Sequence, residues 1–181
     1  MRIEFIGAPT SGKSTIHRIL INAGLKEARR IVVEHPIETE FHRFIKDAYG
    51  RTTFERLPDK TLWSLDAARF ADESEQRYVF DEGLMQCGVS MGIRLPEHEQ
   101  HYFEHCPLPH LLVYLHTKES RLILRNQERG ERSRPEKTIR AIECIKRVIP
   151  ILESRGCNII KLDTGRQSII ETANEVMQAL G

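Results

Sequence analysis

Residues 7–15, GAPTSGKST, follow the apolar hexapeptide MRIEFI and set Gly7, four residues, then Gly12, Lys13 and Ser14. This is the spacing of a phosphate-binding P-loop. Gly7 and Gly12 let the backbone curl without a Cβ clash, so that successive N–H groups turn inward onto phosphate oxygens. The start of the helix that follows adds a partial positive charge. Lys13 is expected to reach the β- and γ-phosphates, and Ser14 to ligate Mg²⁺. The expected nucleotide-binding residues are therefore Gly7, Ala8, Pro9, Thr10, Ser11, Gly12, Lys13, Ser14 and Thr15. A glycine turn that merely precedes a lysine is the alternative. The context speaks against it: Ile3, Phe5 and Ile6 read as a buried strand, and STIHRILINAG reads as a helix closed by Gly24.

Carboxylates stand at the ends of two further apolar runs. YVFDEG ends in Asp81 and Glu82. An acid there can hold Mg²⁺ or accept the proton of an attacking hydroxyl. It can equally cap the helix GLMQCGVSM. IVVEHP ends in Glu34, where Pro36 stops the strand. Glu34 could orient an acceptor hydroxyl, or be a solvated charge at a strand edge.

ESRLILRNQERGERSR spaces Arg121, Arg125 and Arg129 four apart, on one face if helical, and Arg132 and Arg134 extend the cluster. Arginine forks match the equatorial oxygens of a transferring phosphoryl group. A flap over about 125–135 that closes on a nucleotide would also exclude water. The interleaved Glu119, Glu128 and Glu131 equally suit a solvated, ion-paired helix. PEHEQHYFEHC places His98, His101 and His105 on roughly one helical face, a pattern that can hold Zn²⁺ and that short polar helices also carry by chance.

The elements that must position these groups are legible as an alternation. Apolar strand-like runs recur at 2–6, 30–34, 77–81, 110–115 and 158–163, with helical patterns between them. That predicts a parallel sheet covered by helices on both faces, joined by right-handed crossovers. Ligands of such sheets bind beyond the carboxyl ends of the strands, where Gly7, Glu34, Asp81, Glu82, His116, Asp163 and Thr164 fall. Between strands two and three, one helix carries Phe41, Phe44, Ile45 and Tyr49. A second carries Leu62, Leu65, Ala68 and Phe70.

Composition sets the bounds. The 181 residues suit a single domain, 1–181. Apolar residues make up 40% and charged residues 29%, with a net charge of +1, so nothing in the charge balance calls for a nucleic-acid partner. No apolar run approaches membrane-spanning length, and the N-terminus reads as a strand rather than a signal peptide. Cys87, Cys106, Cys144 and Cys157 lack Cys-x-x-Cys spacing and read as reduced thiols, which suits a cytoplasmic protein.

In this order, GAPTSGKST, VVEHP, VFDEG, LPHLLVYLHTKESRLILRNQERG and NIIKLDTGRQSIIETANEVMQAL resemble the thymidylate-kinase-like and deoxynucleoside-kinase-like P-loop kinases over almost the whole chain. The resemblance implies a three-layer α/β/α fold with a five-stranded parallel sheet in the order 2-3-1-4-5. It also implies ATP·Mg²⁺ as donor and a small-molecule phosphoryl acceptor. By carry-over, Lys13 and Ser14 hold phosphate and metal, and Asp81 shares the metal. Glu34 stands at the acceptor hydroxyl, and Arg125 and Arg129 are LID arginines. Arg69, in DAARFAD, is similar to an acceptor-side arginine and equally to a surface one. These families carry an Arg after the strand-three acid, where this chain has Glu82. A Glu beside Asp81 is expected to repel an acceptor phosphate and to suit a neutral polyol or sugar hydroxyl better. DEGL after a strand also resembles uncharacterised bacterial and phage P-loop kinases. A P-loop ATPase using Asp81 and Glu82 to hydrolyse ATP without an acceptor is the alternative. The oligomeric state is left open, a homodimer included.

Overall fold

A computed structural model of the protein describes residues 1–31, 38–49, 56–128, 130 and 134–181. The strands are β1 (Arg2–Ile6), β2 (Lys26–Glu27), β3 (Tyr78–Phe80), β4 (Leu111–His116) and β5 (Ile159–Asp163). The helices are α1 (Lys13–Asn22), α2 (Glu40–Tyr49), α3 (Arg56–Glu73), α4 (Leu84–Arg94), α5 (Glu99–His105), α6 (Glu119–Gln127), α7 (Pro135–Ser154) and α8 (Ile169–Ala179). Among the described residues the strands form one sheet in the order β2-β3-β1-β4-β5. Every pairing is parallel. The expected order 2-3-1-4-5 is thus the observed one.

The layers follow from the period-2 alternation of the strands. Ile3 and Phe5 on one face of β1 join Ile16, Leu20, Ala173 and Val176 of α1 and α8. Ile6, on the other face, joins a cluster built from α2, α3, α4, α5 and α7, with Phe41, Leu65, Val89, Tyr102 and Val148 among its members. The two faces bury a continuous apolar core, the main favourable contribution to the fold. The cysteines at 87, 106, 144 and 157 are all buried and free.

One expected strand moves. The apolar run 30–34 reads as strand two, yet the pairing segment is Lys26–Glu27, in register with Tyr78 and Val79. The chain then turns through a single 3₁₀ turn at Ala28–Arg30. The cause lies upstream. Gly24, at φ +102°, ends α1 with Gly24 N–H donating to Ile21 O and Leu25 N–H to Leu20 O. That closure delivers the chain to the sheet edge at once. Ala28 and Ile31 then turn inward onto Ala67, Ala71 and Phe80. A continuous apolar run does not distinguish strand from buried turn by periodicity. Residues 32–34 lie outside the described ones. On α3, Phe70 faces outward at 45% exposure, unlike its partners Leu65 and Ala68.

β1 also buries two charges on its α4 face. Arg2 and Glu4 are both 0% exposed. Arg2 Nη1 donates to Glu4 Oε1 at 2.7 Å, and Met85 N–H donates to Glu4 Oε2 at 2.8 Å. The remaining Arg2 donors reach Asp72 Oδ1 (3.2 Å), Pro107 O (3.1 Å) and Leu108 O (2.6 Å). Burial pushes the Glu4 carboxyl up; Arg2 and the Met85 N–H pull it back without cancelling that effect. Removing one member of such a pair strands the other in low dielectric. Glu4→Ala is therefore expected to cost about 3 kcal/mol. Restoring apolar symmetry with Arg2→Met in the same chain should cost less than the sum of the single changes. Urea unfolding of the four proteins checks this; additive losses would show that the two charges are not coupled.

Candidate functional site

A cavity of about 450 Å³ opens beyond the carboxyl ends of β1 and β3. The loop after β1 supplies Pro9, Thr10, Gly12, Lys13, Ser14 and Thr15, and the turn after β3 supplies Asp81 and Glu82. Gln86, Ser90 and Ile93 come from α4, Arg125 from α6, and Lys137 and Ala141 from α7.

The loop conformation explains its sequence. A Cβ on Gly7 would lie 2.5 Å from Ser11 Oγ and 2.7 Å from Leu115 O, so only glycine lets β4 approach here. Gly12 sits at φ +101° and caps α1 without a side-chain hydrogen bond, so the helix start faces the cavity. Thr10 is the one non-glycine residue at positive φ (+69°) among those described. Its hydroxyl lies 3.0 Å from the Leu122 carbonyl of α6. Lys13 Nζ folds back onto Gly7 O (2.7 Å) and Ala8 O (3.0 Å). Ser14 is exposed at the first turn of α1.

Asp81 is the most telling acid. Its Oδ2 faces Arg29 at 3.5 Å, while Oδ1 is buried with no hydrogen-bond partner among the described residues. A buried, unpaired carboxylate oxygen is costly unless something binds it. Ser14 and Asp81 thus offer a hydroxyl and a bare carboxylate oxygen to one cavity, a hard-oxygen donor set that fits Mg²⁺. Neither Asp81 nor Glu82 caps α4. The cap is Gly83, and the Met85 N–H is taken by Glu4. A Cβ on Gly83 would meet the Glu4 carboxyl at 2.5 Å, so the buried acid of β1 lies directly under the turn that carries Asp81.

Glu82 forms an ion pair with Lys60 of α3. Arg125 Nη2 donates to Thr164 O at 3.1 Å, with Nη1 3.5 Å from Thr10 O, bridging the P-loop to the loop after β5. Arg121 Nη1 donates to Gly165 O on the same side. A neighbouring cavity there is lined by Thr117, Lys118, Ser120, Arg121, Leu124, Asp163, Gly165 and Arg166.

Not every expected residue converges. Arg69 is exposed on α3, donates to Glu73 Oε1 at 3.1 Å, and lies outside the cavity lining. Glu34, Arg129 and Arg132 fall outside the described residues. His101 and His105 stack at 4.1 Å, while His98 lies before the helix near Glu97 and Phe44. Among the described residues no three His, Cys, Asp or Glu side chains group as a metal site.

Sequence reasoning missed Gln86, Ser90, Ile93, Lys137 and Ala141. Gln86 Oε1 accepts from Gly7 N–H at 3.3 Å. A signal was present: Gln86, Ser90 and Arg94 form an i, i+4, i+8 polar stripe on a helix whose Leu84, Met85, Cys87, Val89 and Met91 are buried.

No family model matches the chain, and no curated protein sequence matches it. Solved structures do. The deoxyadenosine kinase of M. mycoides with bound dATP is 17% identical at a TM-score of 0.65, over 99% of this chain and 98% of that one. The YorR protein of Bacillus subtilis, in complex with phosphorylated GDP, is 14% identical at 0.59, over 99% and 95%. Shikimate kinase from Acinetobacter baumannii, in complex with shikimate, is 14% identical at 0.50, over 99% and 92%. At these identities the likeness is one of architecture: the chain has the P-loop kinase fold, with the sheet order β2-β3-β1-β4-β5.

Proposed function

We propose that the protein is an ATP-dependent kinase that transfers the γ-phosphoryl group to a small-molecule acceptor. The observation that carries this reading is the buried Asp81 Oδ1, without a hydrogen-bond partner among the described residues, on a turn that opens with Lys13 and Ser14 onto one cavity beyond the sheet.

In this reading the triphosphate lies along residues 7–15. Its oxygens take Lys13 away from the carbonyls of Gly7 and Ala8, which hold it in the free chain. Ser14 and Asp81 would hold Mg²⁺, which when bound draws charge from the β- and γ-oxygens. Arg125, released from Thr10 and Thr164, turns its fork to the transferring group, and Arg129 is proposed to act beside it. The base of the nucleotide fits against Leu124 and the 163–166 loop, where Arg121 closes the side. Glu34 is proposed as the base that accepts the acceptor's hydroxyl proton, and Glu82 as part of the acceptor's wall.

The ATPase alternative needs Glu82 to activate water. Its pairing with Lys60 favours a fixed, charged wall over a free general base. ADP release measured with and without hydroxyl-bearing acceptors separates the two. Stimulation by an acceptor supports the kinase; full turnover without one, abolished by Glu82→Gln, overturns it.

Lys13→Ala is expected to lower transfer at least 100-fold, a loss of about 3 kcal/mol of transition-state stabilisation, with thermal unfolding little changed because Lys13 faces the cavity rather than the core. Retention of a tenth of the wild-type rate would remove the P-loop assignment. Asp81→Asn should raise the Mg²⁺ concentration needed for half-maximal rate and lower kcat. Glu34→Gln should lower kcat about 100-fold while ATP affinity holds, read by single-turnover transfer and nucleotide titration.

A further inference from the structure

Gln86, in the first turn of α4, touches both the phosphate loop and the cavity. Its Oε1 accepts from Gly7 N–H at 3.3 Å. A backbone N–H only donates, so the amide oxygen must face the loop and the NH₂ is the end left over. Gln86 Nε2 meets no acceptor among the described residues. Both supports of this amide are fixed. Gly7 lies so close to Ser11 and Leu115 that a Cβ would clash with them, and the Met85 N–H, one residue before Gln86, is held by Glu4. The NH₂ is therefore oriented without a ligand, as a selective contact requires.

The wall around Gln86 offers hydrogen-bonding groups of both kinds. Ser90 stands one turn further along the same face of α4. Its carbonyl accepts from Arg94 Nη1 at 3.0 Å, while its hydroxyl has no partner among the described residues. Asp81 and Glu82 supply carboxylate oxygens, Glu82 with Lys60 against it. Ile93 and Ala141 supply an apolar side. A hydroxyl both donates and accepts, so it can use an amide NH₂ and a carboxylate together. A phosphate or carboxylate accepts only, and the oxygens of Asp81 and Glu82 have nothing to take from it.

We infer that Gln86 selects the acceptor: its amide nitrogen donates to a neutral oxygen beside the reacting hydroxyl, so that the acceptor is a polyol or sugar with adjacent hydroxyl groups. The reacting hydroxyl lies toward Asp81, its neighbour meets Gln86 and Ser90, and the carbon skeleton rests on Ile93 and Ala141. This deepens the kinase reading and rests on it. The transfer itself is the one proposed above. The acceptor oxygen bonds to the γ-phosphorus, the bond to the β–γ bridging oxygen breaks with its electron pair leaving on ADP, and the hydroxyl proton goes to Glu34. A donor fixed in advance and left without its partner penalises an acceptor that lacks the second oxygen.

The test measures ADP release by the full chain with Mg²⁺ and ATP. Glycerol, ribose, glucose and myo-inositol are offered as acceptors, with a nucleoside and its monophosphate alongside. Each polyol or sugar that is phosphorylated is then compared with its analogue lacking the hydroxyl beside the phosphorylated one. Wild type should favour the full compound at least about tenfold in kcat/KM, as expected for one hydrogen bond to a fixed donor. Gln86→Glu keeps an oxygen for the Gly7 N–H but has no NH₂; Gln86→Met removes both. In both variants the ratio should fall toward one. A residue that merely props the P-loop would slow the two compounds alike, so an unchanged ratio overturns the proposal. Use of the nucleoside or its monophosphate with no polyol or sugar accepted also overturns it and leaves the kinase reading standing. Calorimetry with Mg²⁺ and a non-hydrolysable ATP analogue tests that reading separately: absence of binding by wild type overturns the kinase itself. Thermal unfolding is followed for both variants; Gln86→Glu is isosteric and is expected to fold.

Discussion

The position of the Asp81 turn depends on a carboxylate that never meets solvent. Glu4 sits in the central strand, on the face where an apolar residue would be the simplest choice. It holds Arg2 on one oxygen and the first turn of α4 on the other. A buried ion pair rarely gains much over apolar residues of the same size. What it supplies here is direction. The Met85 N–H has a fixed acceptor, Gly83 is left no room for a Cβ, and the turn carrying Asp81 and Glu82 is fastened to the strand that feeds the P-loop. The Asp81 turn and the P-loop therefore share one rigid base rather than two independently mobile ones.

Above that base the cavity is organised by what is left unpaired. Asp81 keeps one oxygen without a donor among the described residues, at a cost that such a contact would have removed. Lys13 rests on two carbonyls that a more negative ligand can outcompete. Glu82, by contrast, is satisfied by Lys60. Under the proposed kinase reading, the wall charge Glu82 is paired within the protein, and Lys13 at the phosphate end is held in exchangeable contacts.

The same division runs through the loop connecting the two ends of the site. Thr10 adopts a left-handed backbone conformation that costs a non-glycine residue about 1 kcal/mol or more. Its contacts with α6, through Leu122 and Arg125, hold it there. A change in the position of α6 would thus reach the P-loop through two polar contacts, without any rearrangement of the core.

Much of this was written in the sequence. Gly7, Gly12, Lys13 and Ser14 define their loop because a phosphate cradle needs those residue types at that spacing, and neighbouring periodicity placed a strand before and a helix after. The alternation of strand-like and helical runs also predicted a parallel sheet and put Asp81 at a carboxyl end, while the strand order came from the resemblance to P-loop kinases. Local pattern failed where the deciding partner is distant in the chain. Lys26–Glu27 is a strand because Tyr78 and Val79 lie beside it, and Arg30 is not because Ala28 and Ile31 find Ala67 and Phe80 instead. Arg69 and Arg125 look alike in sequence, yet one pairs with Glu73 at the surface and the other bridges Thr10 and Thr164. Arg2, Glu4, Lys60 and Glu82 read as ordinary charges until folding sets them against one another. Charge interactions act through space and depend on burial, so sequence alone fixed which charges exist, and tertiary packing decided which were neutralised and which were left for a ligand.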